Sequence, residues 1–293
     1  MKYIEKHPMT MIVVGVIGIA MSSIFVKFSQ APSAVTAAYR LLWTVLLMTP
    51  VVLGKKEIRQ QWKKLDTRSV LLSIASGVFL AIHFVLWFES LKHTSVASST
   101  TIVCTEVIWV ALGFCLLLKG KLTGKAVAAM GVTLAGSVLI AWSDSSSGGA
   151  HLYGDILSLI AAMATAAYTL IGTVVRKKVS TTVYTYVVYV ACAVTLLVVC
   201  LVQGADLFGY GFSAPVVGLL LAVFSTILGH SIFSWCLKFF SPSFVSASKL
   251  CEPVVAAVVA GFLFGELPTA LQVLGSLLIL GGVFYYSRLE QSK

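Results

Sequence analysis

The chain has 293 residues, 58% of them hydrophobic and only 11% charged, and its mean hydropathy is +0.97. That leaves too little polar surface for a soluble globule, so an all-α membrane protein is expected. The net charge of +10 does not point to nucleic acid, because the cations are spread over short connections and form no basic helix or aromatic-interleaved patch.

Ten apolar runs follow one another, at 10–28, 34–54, 69–90, 96–118, 124–142, 152–172, 182–203, 214–237, 244–264 and 269–287. Each approaches the roughly 20 residues that a helix needs to cross the hydrocarbon core. The first run has no short apolar region followed by a small-residue cleavage site, so it is expected to be retained. Lys and Arg fall mostly on one side: 17 of the 21 lie in segments sharing the side of the N-terminus, whereas the opposite connections hold only Lys92. Both termini are therefore expected in the cytoplasm, with the chain in the cell membrane. The six cysteines lie within the runs and show no CxxC spacing, so they are read as small packing residues rather than a metal or redox site. No Gly-rich phosphate loop, GxSxG or HExxH occurs; no cofactor, metal, catalytic residue or ATP dependence is expected.

Laid over itself at a constant shift of 146, the chain aligns Leu91-Lys92 with Leu237-Lys238, Ser95 with Ser241, Glu106 with Glu252, Thr123 with Thr269, Val127 with Val273, Leu134 with Leu280 and Gly136 with Gly282. Five runs per half is an odd number, so the second half enters the membrane from the other side, as an inverted repeat. The expected organisation is a first repeat over 1–143, a linker over 144–150 and a second repeat over 151–293. Repeats of this kind place a binding site near the midplane at their interface.

The segment from Glu252-Pro253 through VVAAVVAGFLFGE to Glu266 and on into LPTALQVLGSLLILGGV, together with AAYRLL at Ala37 to Leu42, resembles the ninth, tenth and second helices of the ten-helix EamA-type branch of the drug/metabolite transporter superfamily. The resemblance covers essentially the whole chain and implies ten helices in two inverted five-helix repeats. It also implies that Arg40 lies in the outer part of the second helix, close to the cavity. The chain departs from the family at Val107 and Gly120, where relatives often keep Pro and Glu, which removes a proline-driven bend from the fourth helix.

Charges at mid-bilayer need a reason, since each costs roughly 2.5 to 3.5 kcal/mol on insertion scales. Arg40, Glu106, Lys249 and Glu252 are the candidates. They either line a solvated cavity or form a buried network, Lys249 with Glu252 or Glu106, that fixes helix packing. Arg40 likewise either meets a substrate carboxylate or pairs with Glu89. Pro253 removes an amide and bends the ninth helix beside the charges. His83 and Trp87 share one face of the third helix and suit a ring or a cation; Tyr39 and Tyr168 could supply hydroxyls, and His230 is read as structural. Tyr39, Arg40, His83, Trp87, Lys249 and Glu252 are the expected substrate contacts, with Glu106 and Glu252 the expected proton-coupling groups.

Two carboxylates and two cations suit a zwitterion. The expected function is secondary transport of a small organic metabolite such as an amino acid, with export in exchange for protons, by a monomer or homodimer. Carriers of organic cations, drugs or nucleosides, a passive channel, and an enzyme acting on lipid-linked substrates stand as alternatives.

Overall fold

The computed structural model describes residues 7–26, 28–63, 65–94, 96–144, 152–252, 254, 255, 258, 259, 262 and 269–291. Pro253, Glu266, Lys27 and most of the expected linker lie outside the described residues. All regular structure among the described residues is helical. Long helices form at α1 (Pro8–Val26), α2 (Ser33–Gly54), α4 (Thr67–His93), α7 (Gly124–Asp144), α8 (Leu152–Val175), α9 (Thr181–Val202) and α13 (Ala270–Gln291). Shorter ones are α3 (Lys56–Trp62), α5 (Val96–Cys104), α6 (Glu106–Leu116), α10 (Ser213–Leu220), α11 (Ile232–Cys236) and α12 (Pro242–Lys249). A π-helical segment, Leu221–Ser231, joins α10 to α11.

Among the described residues, seven helices, counting Ser213–Cys236 as one, are long and apolar enough to cross a membrane. Their outward faces carry Leu46, Leu53, Leu71 and Leu277, all exposed, the arrangement expected where the surroundings are hydrocarbon rather than water. Side chains cap some of the helix starts. Asp66 accepts from the Ser69 amide (3.3 Å) and hydroxyl (2.6 Å) at the start of α4; the hydroxyl bond holds its carboxyl below the ordinary value. Ser241 accepts from the Phe244 amide at 3.2 Å, with Pro242 in the first turn of α12.

The fourth apolar run is not one continuous helix, contrary to the single span expected over 96–118. At Thr105 the ladder tightens: its amide donates to Ile102 O at 3.0 Å and its hydroxyl to the same carbonyl at 2.6 Å, so a local side-chain bond competes with the helical pattern. The ninth run tightens at the same register, where Leu250 N donates to Ala247 O at 3.1 Å and Cys251 N to Ser248 O at 3.2 Å. Thr105 and Cys251 are 146 residues apart. The first-half break thus arises beside Val107 with no proline.

In the π segment, Thr226 Oγ1 donates to Leu221 O and Ser231 Oγ to Thr226 O, both at 3.2 Å and both five residues back. These bonds support the wider turn, which brings Thr226 and His230 inward.

Packing follows the repeat. Helix α4 lies against α8, and α1 lies against the π segment and α11, which are equivalent pairs; α2 with α9, and α7 with α13, each pair a helix with its own repeat partner. The last pair meets at backbone contact. A Cβ on Gly136 would stand 2.6 Å from Gly275 O, and one on Gly282 would stand 2.5 Å from Thr133 Oγ1, so only glycine permits this approach. Gly136→Ala is expected to lower the melting temperature in detergent, with an overpacking cost of about 1 to 3 kcal/mol. Gly131, whose Cβ would meet nothing within 4 Å among the described residues, provides the comparison. Equal melting temperatures for Gly136→Ala and Gly131→Ala would contradict the close contact.

Candidate functional site

The two helix breaks face each other across a cavity. Its wall takes Thr100, Val103, Cys104 and Glu106 from α5 and α6, and Ser246, Lys249, Leu250 and Glu252 from α12 and the residues after it. These two sets match one for one at the shift of 146. Ser22 from α1, Arg40 from α2, His83 and Trp87 from α4, Thr165 from α8 and His230 from the π segment complete the polar part of the wall.

Five of the six expected substrate contacts therefore gather in one place, and Glu106 with them. Tyr39 does not. Its hydroxyl donates to Leu207 O at 3.0 Å, and it lines a separate cavity under the loop that carries Phe208 to Phe212. One helical step along α2 turns Tyr39 away from the side on which Arg40 sits.

Glu106 is the most heavily bonded group. Its Oε1 accepts from Lys249 Nζ at 2.8 Å, Ser246 Oγ at 2.9 Å and Thr169 Oγ1 at 3.2 Å. With side chains only 13% and 8% exposed, Lys249 and Glu106 form a nearly buried ion pair. Such a pair offsets its own desolvation only when further hydrogen bonds complete it, and the two hydroxyls do so. Lys249 Nζ also stands 5.7 Å from the centroid of Phe233. Lys249 thus pairs with Glu106 and not with Glu252, its neighbour on the same helix face. Glu252 makes no hydrogen bond or ion pair among the described residues.

Arg40 is differently placed. It is 1% exposed, and its Nε donates to Thr226 Oγ1 at 2.7 Å and its Nη1 to Ser22 Oγ at 3.3 Å. The guanidinium lies 4.1 Å over the Phe84 ring. Nη2 has no partner among the described residues. Glu89 is bound instead to Lys92 at 3.0 Å and His93 at 3.2 Å, so Arg40 has no carboxylate counterpart in ion-pair reach among the described residues.

Aromatic groups set the remaining wall. His83 Nδ1 donates to Ala161 O at 3.1 Å, which fixes its ring, and the ring stacks on Trp87 at 5.9 Å and 14°. Trp87 Nε1 and Thr100 Oγ1 are buried without a partner among the described residues. Tyr168 is not in the wall; its hydroxyl is bonded to Ser234 Oγ at 2.7 Å. His230, expected to be structural, lines the cavity and meets Phe84 edge-on at 5.4 Å. Cys104 lines it too, while Cys192, Cys200 and Cys236 are buried packing residues.

Sequence reading passes over Ser22, Thr100, Thr165, Thr169, Thr226 and Ser246, because hydroxyl residues are common in apolar helices. The repeat register holds a usable signal for two of them, since Thr100 and Ser246 precede Glu106 and Glu252 by the same interval.

Comparison with known proteins agrees with this architecture. The profile of the EamA-like transporter family matches residues 8–142 and again 152–288. An uncharacterized transporter of Bacillus subtilis strain 168, YxxF, is 26% identical over 95% of this chain and 87% of its own. An uncharacterized transporter of Archaeoglobus fulgidus is 23% identical, over 85% of each chain. One solved crystal structure superposes with a TM-score of 0.80 at 13% identity, covering 98% of both chains, which is a likeness of fold.

Removing one member of the buried pair leaves its partner's charge uncompensated. Lys249→Met alone is thus expected to lower the melting temperature more than the double change Glu106→Gln with Lys249→Met, with a coupling of about 1 to 3 kcal/mol. Additive effects in a thermal-denaturation cycle would show that the pair does not hold the two halves together.

Proposed function

Because the chain belongs to the EamA-like transporter family, we propose that it is a secondary carrier that moves a small zwitterion of the amino-acid type by alternating access, with the cavity at Arg40 as its binding site. One observation supports this reading above the others: a buried guanidinium in the cavity wall with an unpartnered Nη2 and no carboxylate within ion-pair distance among the described residues. An ionised group held out of water needs a counter-charge. A carboxylate supplied by the transported molecule fits, because the planar fork of Arg offers it two parallel bonds.

The ten runs, read as ten crossings, give both halves five helices and the opposed insertion that alternating access requires. The energy source in this reading is proton exchange at Glu252. Glu106 already accepts three donors on one oxygen, whereas Glu252 lines the cavity with no hydrogen bond or ion pair among the described residues, and so is the carboxylate we assign to exchange a proton with whatever enters.

Arg40→Lys should reduce affinity for an amino acid by roughly 1 to 3 kcal/mol, the loss expected for a charge-assisted bond. It should cost far less for the corresponding amide. Measuring both apparent affinities in proteoliposomes decides the point, and equal losses would sink the carboxylate clamp. With a pH gradient imposed on the same vesicles, Glu252→Gln should abolish gradient-driven uptake. Full gradient-driven uptake by that variant would remove Glu252 as the coupling group.

A further inference from the structure

The shift of 146 that relates the halves extends to the surroundings of the Lys249 ammonium among the described residues. Glu106 corresponds to Glu252, Ser246 to Thr100, Phe233 to Trp87, and Lys249 itself to Val103. In one arrangement an ammonium sits 2.8 Å from the Glu106 carboxylate, beside the Ser246 hydroxyl that donates to the same oxygen, and 5.7 Å from the centroid of the Phe233 ring. In the other arrangement a carboxylate, a hydroxyl and an indole are again present, and Glu252, Thr100 and Trp87 all line the cavity. The side chain that would bring the ammonium is a valine, so that arrangement has its receiving groups and lacks its cation. Two further facts agree. Glu252 makes no hydrogen bond or ion pair among the described residues, and the Thr100 hydroxyl is buried without a hydrogen-bond partner among them.

We propose that Glu252, Thr100 and Trp87 form an ammonium subsite, which a primary amine of the transported molecule enters in the way that Lys249 enters the Glu106 site. The carboxylate takes the charge, the hydroxyl completes the coordination of the carboxylate, and the indole face supplies a cation–π contact, for which Trp is the best of the aromatic residues. Val103 is the residue that keeps the subsite available to ligand. This inference rests on the carrier reading above and deepens it by assigning the positive end of the zwitterion to named groups. It stands apart from the role of Arg40, which concerns the negative end.

The test supplies the missing cation. Val103→Lys should place an ammonium against Glu252, so its effects appear in both stability and binding. In thermal denaturation of the full-length protein in detergent, Val103→Lys should fold, and Glu252→Gln should lower its melting temperature more than it lowers that of the unaltered protein. In thermal-shift titrations, where a ligand that binds the folded state raises its stability, leucinamide serves as the ammonium probe and 4-methylpentanoate as the carboxylate probe. Val103→Lys should weaken leucinamide by at least about tenfold relative to Val103→Met, a difference of about 1.4 kcal/mol, while both variants bind 4-methylpentanoate alike. Trp87→Leu should weaken leucinamide roughly threefold to thirtyfold, the range spanned by cation–π contacts. The inference is overturned if Val103→Lys fails to fold, if Glu252→Gln affects it no more than it affects the parent, or if the unaltered protein binds 4-methylpentanoate and not leucinamide. That last result would leave the Arg40 clamp standing. Leucinamide binding that Val103→Lys abolishes, with 4-methylpentanoate binding that Arg40→Lys leaves untouched, would instead uphold the ammonium subsite and remove the clamp.

Discussion

One carboxylate oxygen joins the two halves of this protein. Glu106 Oε1 takes a hydrogen bond from Thr169 on α8 and two more from Ser246 and Lys249 on α12, so a first-half acid is held entirely by second-half donors. The cost of removing two charges from water is met by this density of donors, since a bare ion pair at such depth would not repay its desolvation. Once the pair is set, the register of α6 against α8 and α12 is set with it. The helix breaks then fall opposite one another, and the cavity lies between them.

The breaks themselves follow from local chemistry. A continuous helix through Thr105 would carry Glu106 on an unbroken ladder, whereas the tightened turn places it in the first turn of a new helix, where a carboxylate is favoured by the unpaired amides. Hydroxyl and carbonyl at Thr105 and Ile102 produce in the first half what a similar turn at Cys251 produces in the second. The two halves have reached one geometry with different residues.

Much of this was legible from the amino-acid sequence, for identifiable reasons. Glu106, Glu252, Arg40 and Lys249 stand out because an ionisable residue within a long apolar run is expensive, and the shift of 146 could be read because it holds without a gap. Which pairs form was not legible: Lys249 could reach either acid along its helix face, and only the break in the chain decides for Glu106. The π segment escapes notice because hydropathy over Leu221–Ser231 looks like that of any buried helix. Tyr39 was misplaced with Arg40 because adjacency in sequence says nothing about adjacency around a helix, where neighbours stand about 100° apart. The hydroxyl residues were overlooked because Ser and Thr carry no charge to mark them and usually bond to their own helix, as Ser73 and Thr44 do here.

The tethered ammonium of Lys249 also bears on direction within the cavity. Two inverted halves alone would build a chamber with an approximate twofold axis, and such a chamber would accept a small molecule in either of two opposed poses with equal ease. Lys249 ends that equivalence, because one of the two related positions now belongs permanently to the protein. On the carrier reading proposed above, an amine would therefore enter towards Glu252, since the Glu106 position is already filled by Lys249.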